Sequence, residues 1–239
     1  MYFLYQIITL VILILSPFII IYRILKNKED KNRFKEKFSL PSKKRRAGKL
    51  VWFHGASVGE ILSVIPLVKH YEKDKNINQI LITSSTLSSS KVIKKFKFKK
   101  TNHQFYPLDN YFLINKFLKF WRPNIAIFID SEIWPCMYRN IKKKRIPLVL
   151  LNARLTKKTF NKWIKFKKFS TSIFSNITIA YPQNFETKNY LKKLKIKKIN
   201  FIGNLKFAEN YDQDSDKINN NLIREFRGKK IWIASSTHK

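Results

Sequence analysis

Three polar clusters in this 239-residue chain each follow a short apolar run. They are His54-Gly55-Ala56-Ser57-Val58-Gly59-Glu60, Asp130-Ser131-Glu132-Ile133-Trp134-Pro135 and Gly203-Asn204-Leu205-Lys206-Phe207. A carboxylate placed as Glu60 is can accept a proton from a bound substrate. Arg154, in Asn152-Ala153-Arg154, can clamp an anion. Each residue also has a plainer reading. Ser57 and Glu60 match the S-x-x-E capping box, in which the carboxylate returns to the cap's backbone N–H. Asp130 or Ser131 can cap a helix whose macrodipole Glu132 favours. Lys206 can be a solvated surface charge, and Arg154 can cap solvent-side carbonyls. For Glu60 the two readings are compatible, and Gly55 and Gly59 lower helix propensity there and leave the turn open to a ligand. Two acidic residues directly after a buried strand, followed by Trp-Pro, exceed what a cap requires.

The elements that must position these residues alternate. Short β-rich runs fall at Leu50–His54, Gln79–Thr83, His103–Tyr106, Ile125–Asp130, Pro147–Leu151, Ile177–Tyr181, Lys198–Ile202 and Ile231–Ala234. Helical stretches lie between them at Ser57–Tyr71, Leu87–Phe96, Leu108–Phe120, Trp134–Lys143, Thr156–Phe174 and Asn184–Leu194. Several strands are apolar throughout, as parallel strands covered on both faces must be. This alternation predicts a doubly wound α/β sheet, with ligands met at the carboxyl ends of its strands. The chain lacks a G-x-G-x-x-G after the first strand, a P-loop and metal-ligand spacing, so no nucleotide cofactor or metal is expected.

A hydrophobic content of 44% with 20 Phe, 10 Tyr and 5 Trp excludes a disordered chain, and the single cysteine, Cys136, excludes an intrachain disulfide framework. The net charge of +34 is spread along nearly every segment and carries no recognition motif. Nucleic acid is therefore disfavoured as the main partner, and anionic lipid headgroups or phosphorylated substrates account for the charge at least as well. Residues Tyr2 to Tyr22 contain no charged side chain and suffice to span a bilayer's hydrocarbon core as a helix. Arg23, Lys26, Lys28, Lys31, Arg33, Lys35 and Lys37 follow at once, which predicts an uncleaved transmembrane anchor with the globular part on the cytoplasmic face.

Taken together, HGASVGE, SEIWP, PLVLLNARLT, GNLKF and IWIASSTH, in this order behind an apolar amino-terminal segment, resemble the 3-deoxy-D-manno-octulosonic acid (Kdo) transferases of lipopolysaccharide synthesis. The resemblance implies a Rossmann-like parallel sheet forming the amino-terminal domain of a GT-B glycosyltransferase, at the bacterial inner membrane. It also implies metal-independent transfer of Kdo from CMP-Kdo to the phosphorylated lipid A precursor (lipid IVA). By that similarity Glu60 is the general base, and Asp130 and Lys206 are transition-state stabilisers. Gly55, Ser57, Gly59, Glu132 and Arg154 are substrate-binding candidates. The family usually carries Glu where this chain has Asp130. The expected organisation is an anchor helix at 1–25, a basic linker at 26–49, an acceptor-binding domain at 50–210, and at 211–239 a linker and the start of a truncated donor-binding domain. On that reading the chain alone is a poor catalyst, and a non-catalytic membrane-anchored module that binds lipid A precursor is the alternative.

Overall fold

A computed structural model describes residues 1–205, 224 and 226–229. The expected strand at Ile231–Ala234 and the candidate Lys206 lie outside the described residues. The chain divides into two compact units, Met1–Lys206 and Phe207–Lys239. In the second unit the described residues comprise helical Arg224 and Phe226 and a turn in which Gly228 adopts φ +78°.

The first unit alternates strand and helix as the apolar pattern requires. After helix α1 (Tyr2–Leu25) and a short 3-10 helix (Phe34–Phe38) come β1 (Leu50–His54), α2 (Val58–Lys73), β2 (Gln79–Ser84), α3 (Leu87–Lys94) and β3 (Thr101–Phe105). The chain continues through α4 (Tyr111–Trp121), β4 (Ile125–Ile129), α5 (Pro135–Lys143), β5 (Leu148–Ala153), α6 (Lys157–Lys165), α7 (Lys167–Phe174), β6 (Ile179–Pro182) and α8 (Phe185–Lys193). The six strands form one parallel sheet in the order β3-β2-β1-β4-β5-β6. This is the Rossmann order, whose topological switch point falls between β1 and β4.

Period-two alternation along the strands divides the core into two layers. Trp52, Leu81, Phe128 and Leu150 face the layer covered by α4, α5, α7 and α8, whereas Phe53, Ile82, Ile127 and Leu151 face α2 and α3. Trp52 and Trp121 are fully buried, and each indole N–H finds an acceptor, Thr83 Oγ1 and Gln104 Oε1 respectively, both at 2.9 Å. Most helices that follow a strand start on a side-chain cap: Ser57, Thr86, Asn110, Thr156 and Asn184 each accept from a backbone N–H of the first turn.

Two expected elements differ. The stretch Lys198–Ile202 forms no strand and pairs with the sheet edge at the single bridge Ala180–Ile199, so β6 is the last strand among the described residues. The expected helix Thr156–Phe174 is broken at Phe166, whose φ of −113° and ψ of 56° leave the helical region. The basic segment 26–49 packs along the β3 edge of the domain. Buried Glu36 takes a two-pronged bond from Arg33 (2.9 Å on each oxygen) and accepts from the Phe105 amide at 2.7 Å. Arg33 reaches on to the His103 carbonyl at 2.8 Å.

Helix α1 is long and apolar enough to cross a membrane. It rests along the domain through its first turns. Tyr5 donates to Asp109 Oδ2 at 2.7 Å, the Tyr2 hydroxyl lies 3.6 Å from Cys136 Sγ, and the Arg139 guanidinium sits 3.8 Å over the Tyr2 ring. At its other end Arg23 pairs with buried Glu29 at 3.2 Å.

Candidate active site at the strand carboxyl ends

The crevice of a doubly wound sheet opens where strand order reverses, here between the carboxyl ends of β1 and β4. His54-to-Glu60 leaves β1 and Asp130-to-Trp134 leaves β4, so the first two polar clusters meet across the switch point. The third approaches the same edge one strand further on, where the Leu205 amide donates to Asn152 Oδ1 at 3.1 Å.

Glu60 sits in the first turn of α2 and performs the capping role. Ser57 Oγ accepts from its amide at 3.3 Å, and its carboxylate accepts from the Ser57 hydroxyl and from the Ala56 amide, both at 2.8 Å. The back-bond falls one residue before the cap rather than on the cap's own N–H. Burial raises the Glu60 carboxyl above its ordinary range, and the negative charges of Glu132 and Asp130 push the same way against the bonds from Ser57 and Ala56. A half-buried carboxylate with a raised proton affinity is what a general base near neutral pH needs.

The glycines have distinct parts. A Cβ on Gly55 would lie 3.0 Å from Glu60 Cβ and 3.4 Å from its Oε2, so the bare backbone lets the carboxylate fold back over the turn. A Cβ on Gly59 would meet nothing within 4 Å, leaving exposed open space beside Glu60. Ser57 is also exposed.

Glu132 belongs to a relay that the local pattern does not reveal. Its Oε2 accepts from Trp134 Nε1 at 2.9 Å and lies 3.2 Å from His54 Nε2. The other ring nitrogen of His54 is 3.0 Å from Thr83 Oγ1. Burial alone would raise Glu132, but the bonds and charge of His54 and the Trp134 N–H hold it below the ordinary range. His54 is fully buried and stacks on Tyr106 with ring centroids 3.8 Å apart. Thr83 and Tyr106 are members of this site that sequence reasoning missed, and His54 and Trp134, quoted within the polar clusters, had no role assigned to them. The available signals were a histidine closing an otherwise apolar strand and the Trp-Pro pair.

Asp130 adopts a left-handed backbone, φ +59°, which Asp tolerates better than most residues. Its amide donates to the Leu151 carbonyl at 3.0 Å, and its carbonyl accepts from the Arg154 amide at 3.3 Å, so the ends of β4 and β5 are tied together. Arg154 is exposed on that edge. The amino end of α5 is served by Asp109 rather than by a residue of its own cluster: the Cys136 and Met137 amides donate to Asp109 at 2.9 and 2.8 Å.

The model of the 3-deoxy-D-manno-octulosonic-acid transferase (kdotransferase) family matches residues 32–209. The 3-deoxy-D-manno-octulosonic acid transferase of Rickettsia prowazekii is 35% identical over 202 residues, covering 84% of this chain and 43% of its own. That of Rickettsia bellii is 33% identical and covers 98% of this chain and 56% of its own, and that of Haemophilus influenzae is 30% identical over 79% and 45%. The chain thus spans about half the length of the curated relatives it matches. A solved UDP-N-acetylglucosamine 2-epimerase overlays with a TM-score of 0.48 and 17% identity, covering 68% of this chain and 47% of that one, a likeness too partial to bear on function. With the matched region running from the segment before β1 to the end of the third polar cluster, the chain belongs to the Kdo transferase family.

Proposed function

We propose that this chain is the acceptor-side part of a glycosyltransferase that moves Kdo from CMP-Kdo to a hydroxyl of the lipid A precursor, lipid IVA. The observation that carries the reading is Glu60, raised in proton affinity, hydrogen-bonded in a fixed orientation and standing beside open space at the switch-point crevice. In the reaction Glu60 takes the proton of the acceptor hydroxyl as that oxygen bonds to the anomeric carbon. The bond from that carbon to the CMP phosphate oxygen breaks, and CMP leaves with the electron pair. Asp130 and Lys206 act on the charge that develops, and exposed Arg154 meets an acceptor phosphate. Gly55, Ser57, Gly59 and Glu132 shape the acceptor pocket.

Attachment to the cytoplasmic face of the inner membrane follows from the same reading. The outward side of α1 exposes Phe3, Ile14 and Phe18 at 63% or more, and basic residues follow the helix. Tyr2 and Tyr5 hold its first turns on the domain, and the following turns expose apolar side chains all round, as a helix surrounded by lipid requires.

The test uses the protein expressed from the complete reading frame. Glu60→Gln should lower Kdo transfer by about 10²–10⁴-fold while lipid IVA still binds. Near-normal turnover in that variant would remove the base assignment.

A further inference from the structure

A chain of hydrogen-bonded side chains runs from the core to the carboxylate site. Trp52 Nε1 donates to Thr83 Oγ1 at 2.9 Å, Thr83 Oγ1 lies 3.0 Å from His54 Nδ1, and His54 Nε2 lies 3.2 Å from Glu132 Oε2. The parallel register makes His54 and Thr83 neighbours across β1 and β2. Counting donors and acceptors fixes the direction of each bond. An indole N–H only donates, so it occupies a lone pair of the Thr83 hydroxyl. The hydroxyl proton then has the His54 ring nitrogen at 3.0 Å and the Phe53 carbonyl at 3.4 Å as acceptors, and the shorter contact takes it. His54 Nδ1 is therefore bare, and the ring proton sits on Nε2, aimed at Glu132.

The hydroxyl end of this chain is sealed, since Thr83 and His54 are fully buried and neither meets a substrate. The carboxylate end is open, with 14% of the Glu132 side chain exposed. Trp134 Nε1 also donates to Oε2, at 2.9 Å, and among the described residues no donor reaches Oε1. The Tyr138 hydroxyl, bonded to the Glu132 carbonyl at 2.8 Å, fixes the backbone behind it. One carboxylate oxygen is thus locked and the other is left for a ligand hydroxyl. Of the titratable groups around the pair, Tyr106 and Tyr138 are held protonated by burial, and Glu60 and Asp130 are the neighbouring carboxylates.

We propose that His54, held by Thr83 with its proton on Nε2, is a positioning residue for the transfer reaction: it keeps Glu132 ionised and turned so that Oε1 accepts from a hydroxyl of the acceptor sugar. The proposal rests on the functional reading above. The Thr83 hydroxyl is decisive because the Thr83 carbonyl, 3.2 Å from His54 Nδ1, would otherwise draw a proton to that nitrogen. With Nδ1 protonated, the imidazole either carries a proton on Nε2 as well or leaves Nε2 bare against a carboxylate, which must then take one itself. In both cases the His54–Glu132 pair binds one proton more and loses its negative charge.

The test uses the protein expressed from the complete reading frame with isotope-labelled histidine, the His54 ring-nitrogen NMR signals being assigned by their loss in His54→Gln. At neutral pH His54 should show a bare Nδ1 and a protonated Nε2 in the wild type, and a protonated Nδ1 in Thr83→Val. Kinetics give the second arm. Thr83→Val should raise KM for the acceptor about three- to tenfold, the worth of one hydrogen bond, and leave KM for CMP-Kdo in place. It should also move the acid limb of kcat/KM to lower pH, because Glu60 has lost a negative neighbour. Thr83→Ser, which keeps the hydroxyl, should hold all of these at wild-type values. Leu194→Ala, buried beside α8 and outside the chain of bonds, should lower stability without these shifts. A protonated Nδ1 in the wild type, or wild-type kinetics in a folded Thr83→Val, overturns the proposal. Near-normal turnover in Glu60→Gln removes the base assignment, and the proposal then stands or falls on the nitrogen signals and the acceptor KM, which do not involve Glu60.

Discussion

His54 Nε2 lies 3.2 Å from Glu132 Oε2, and this contact joins the end of β1 to the loop after β4 across the point where the sheet reverses its strand order. The imidazole is fully buried and the carboxylate largely so, which makes the pair sensitive to loss of either partner. His54→Phe keeps a ring against Tyr106 but leaves Glu132 with Trp134 as its remaining side-chain donor. It should cost about 1–3 kcal/mol of stability, read from thermal unfolding. An unchanged melting temperature would mean the relay does not hold the two loops together.

Burial first, and the charge of Glu132 in addition, raise the proton affinity of Glu60. A base must be ionised, so kcat/KM should rise with pH as Glu60 loses its proton, with a midpoint above the ordinary glutamate value. Glu132 disfavours a second negative charge nearby. Glu132→Gln should therefore move the acid limb of the profile to lower pH. A limb that stays in place or moves upward contradicts the coupling.

The two glycines allow an opposed pair of substitutions. Gly55→Ala places a methyl 3.0 Å from Glu60 Cβ and 3.3 Å from Ile61 Cδ1, so the first turn of α2 must shift by a few tenths of an ångström, and transfer should fall by about tenfold with the fold retained. Gly59→Ala meets no atom within 4 Å and gains helix propensity, so it should be neutral or stabilising by up to about 1 kcal/mol. If Gly59→Ala lowers transfer while raising the melting temperature, the methyl is obstructing a ligand rather than the protein.

Asp109 carries a pH dependence of the opposite kind from a surface ion pair. Burial pushes its carboxyl up to about 6 from the ordinary 3.8, although the bonds from Tyr5 and from the Cys136 and Met137 amides pull it down. A carboxyl that holds its proton more firmly when folded contributes stability that is complete below its unfolded value and is lost as pH rises through its folded one. The stability of the wild type relative to Asp109→Asn should therefore fall between about pH 4 and about pH 7. A difference that grows over that range would reverse the assignment.

Where a property is local, the chain discloses it. The apolar runs at Leu50–His54 and Ile125–Ile129 are strands because residues buried on both faces cannot alternate with polar ones, and both ends carry the polar clusters their composition announced. Ser57 and Glu60 met as a cap because the spacing of three residues suffices to bring them together. Lys198–Ile202 misled because β propensity does not supply a partner, and the sheet edge offers it one bridge. The relay from Thr83 through His54 to Glu132 was hidden for a different reason. Its members come from three segments, and only the parallel register of β1 with β2 and β4 brings them within reach. Asp109 was concealed in the same way, since its partners Tyr5 and Cys136 are 104 and 27 residues away.

The bond from Tyr5 to Asp109 has a kinetic consequence. On the proposed membrane attachment, that bond keeps the crevice close to the lipid headgroups. An acceptor then reaches Glu60 by diffusing sideways within the leaflet and is not extracted into water. Its encounter rate would be governed by molecules per unit area of membrane. At a fixed total amount of lipid IVA, added inert phospholipid would slow transfer simply by spreading the acceptor more thinly.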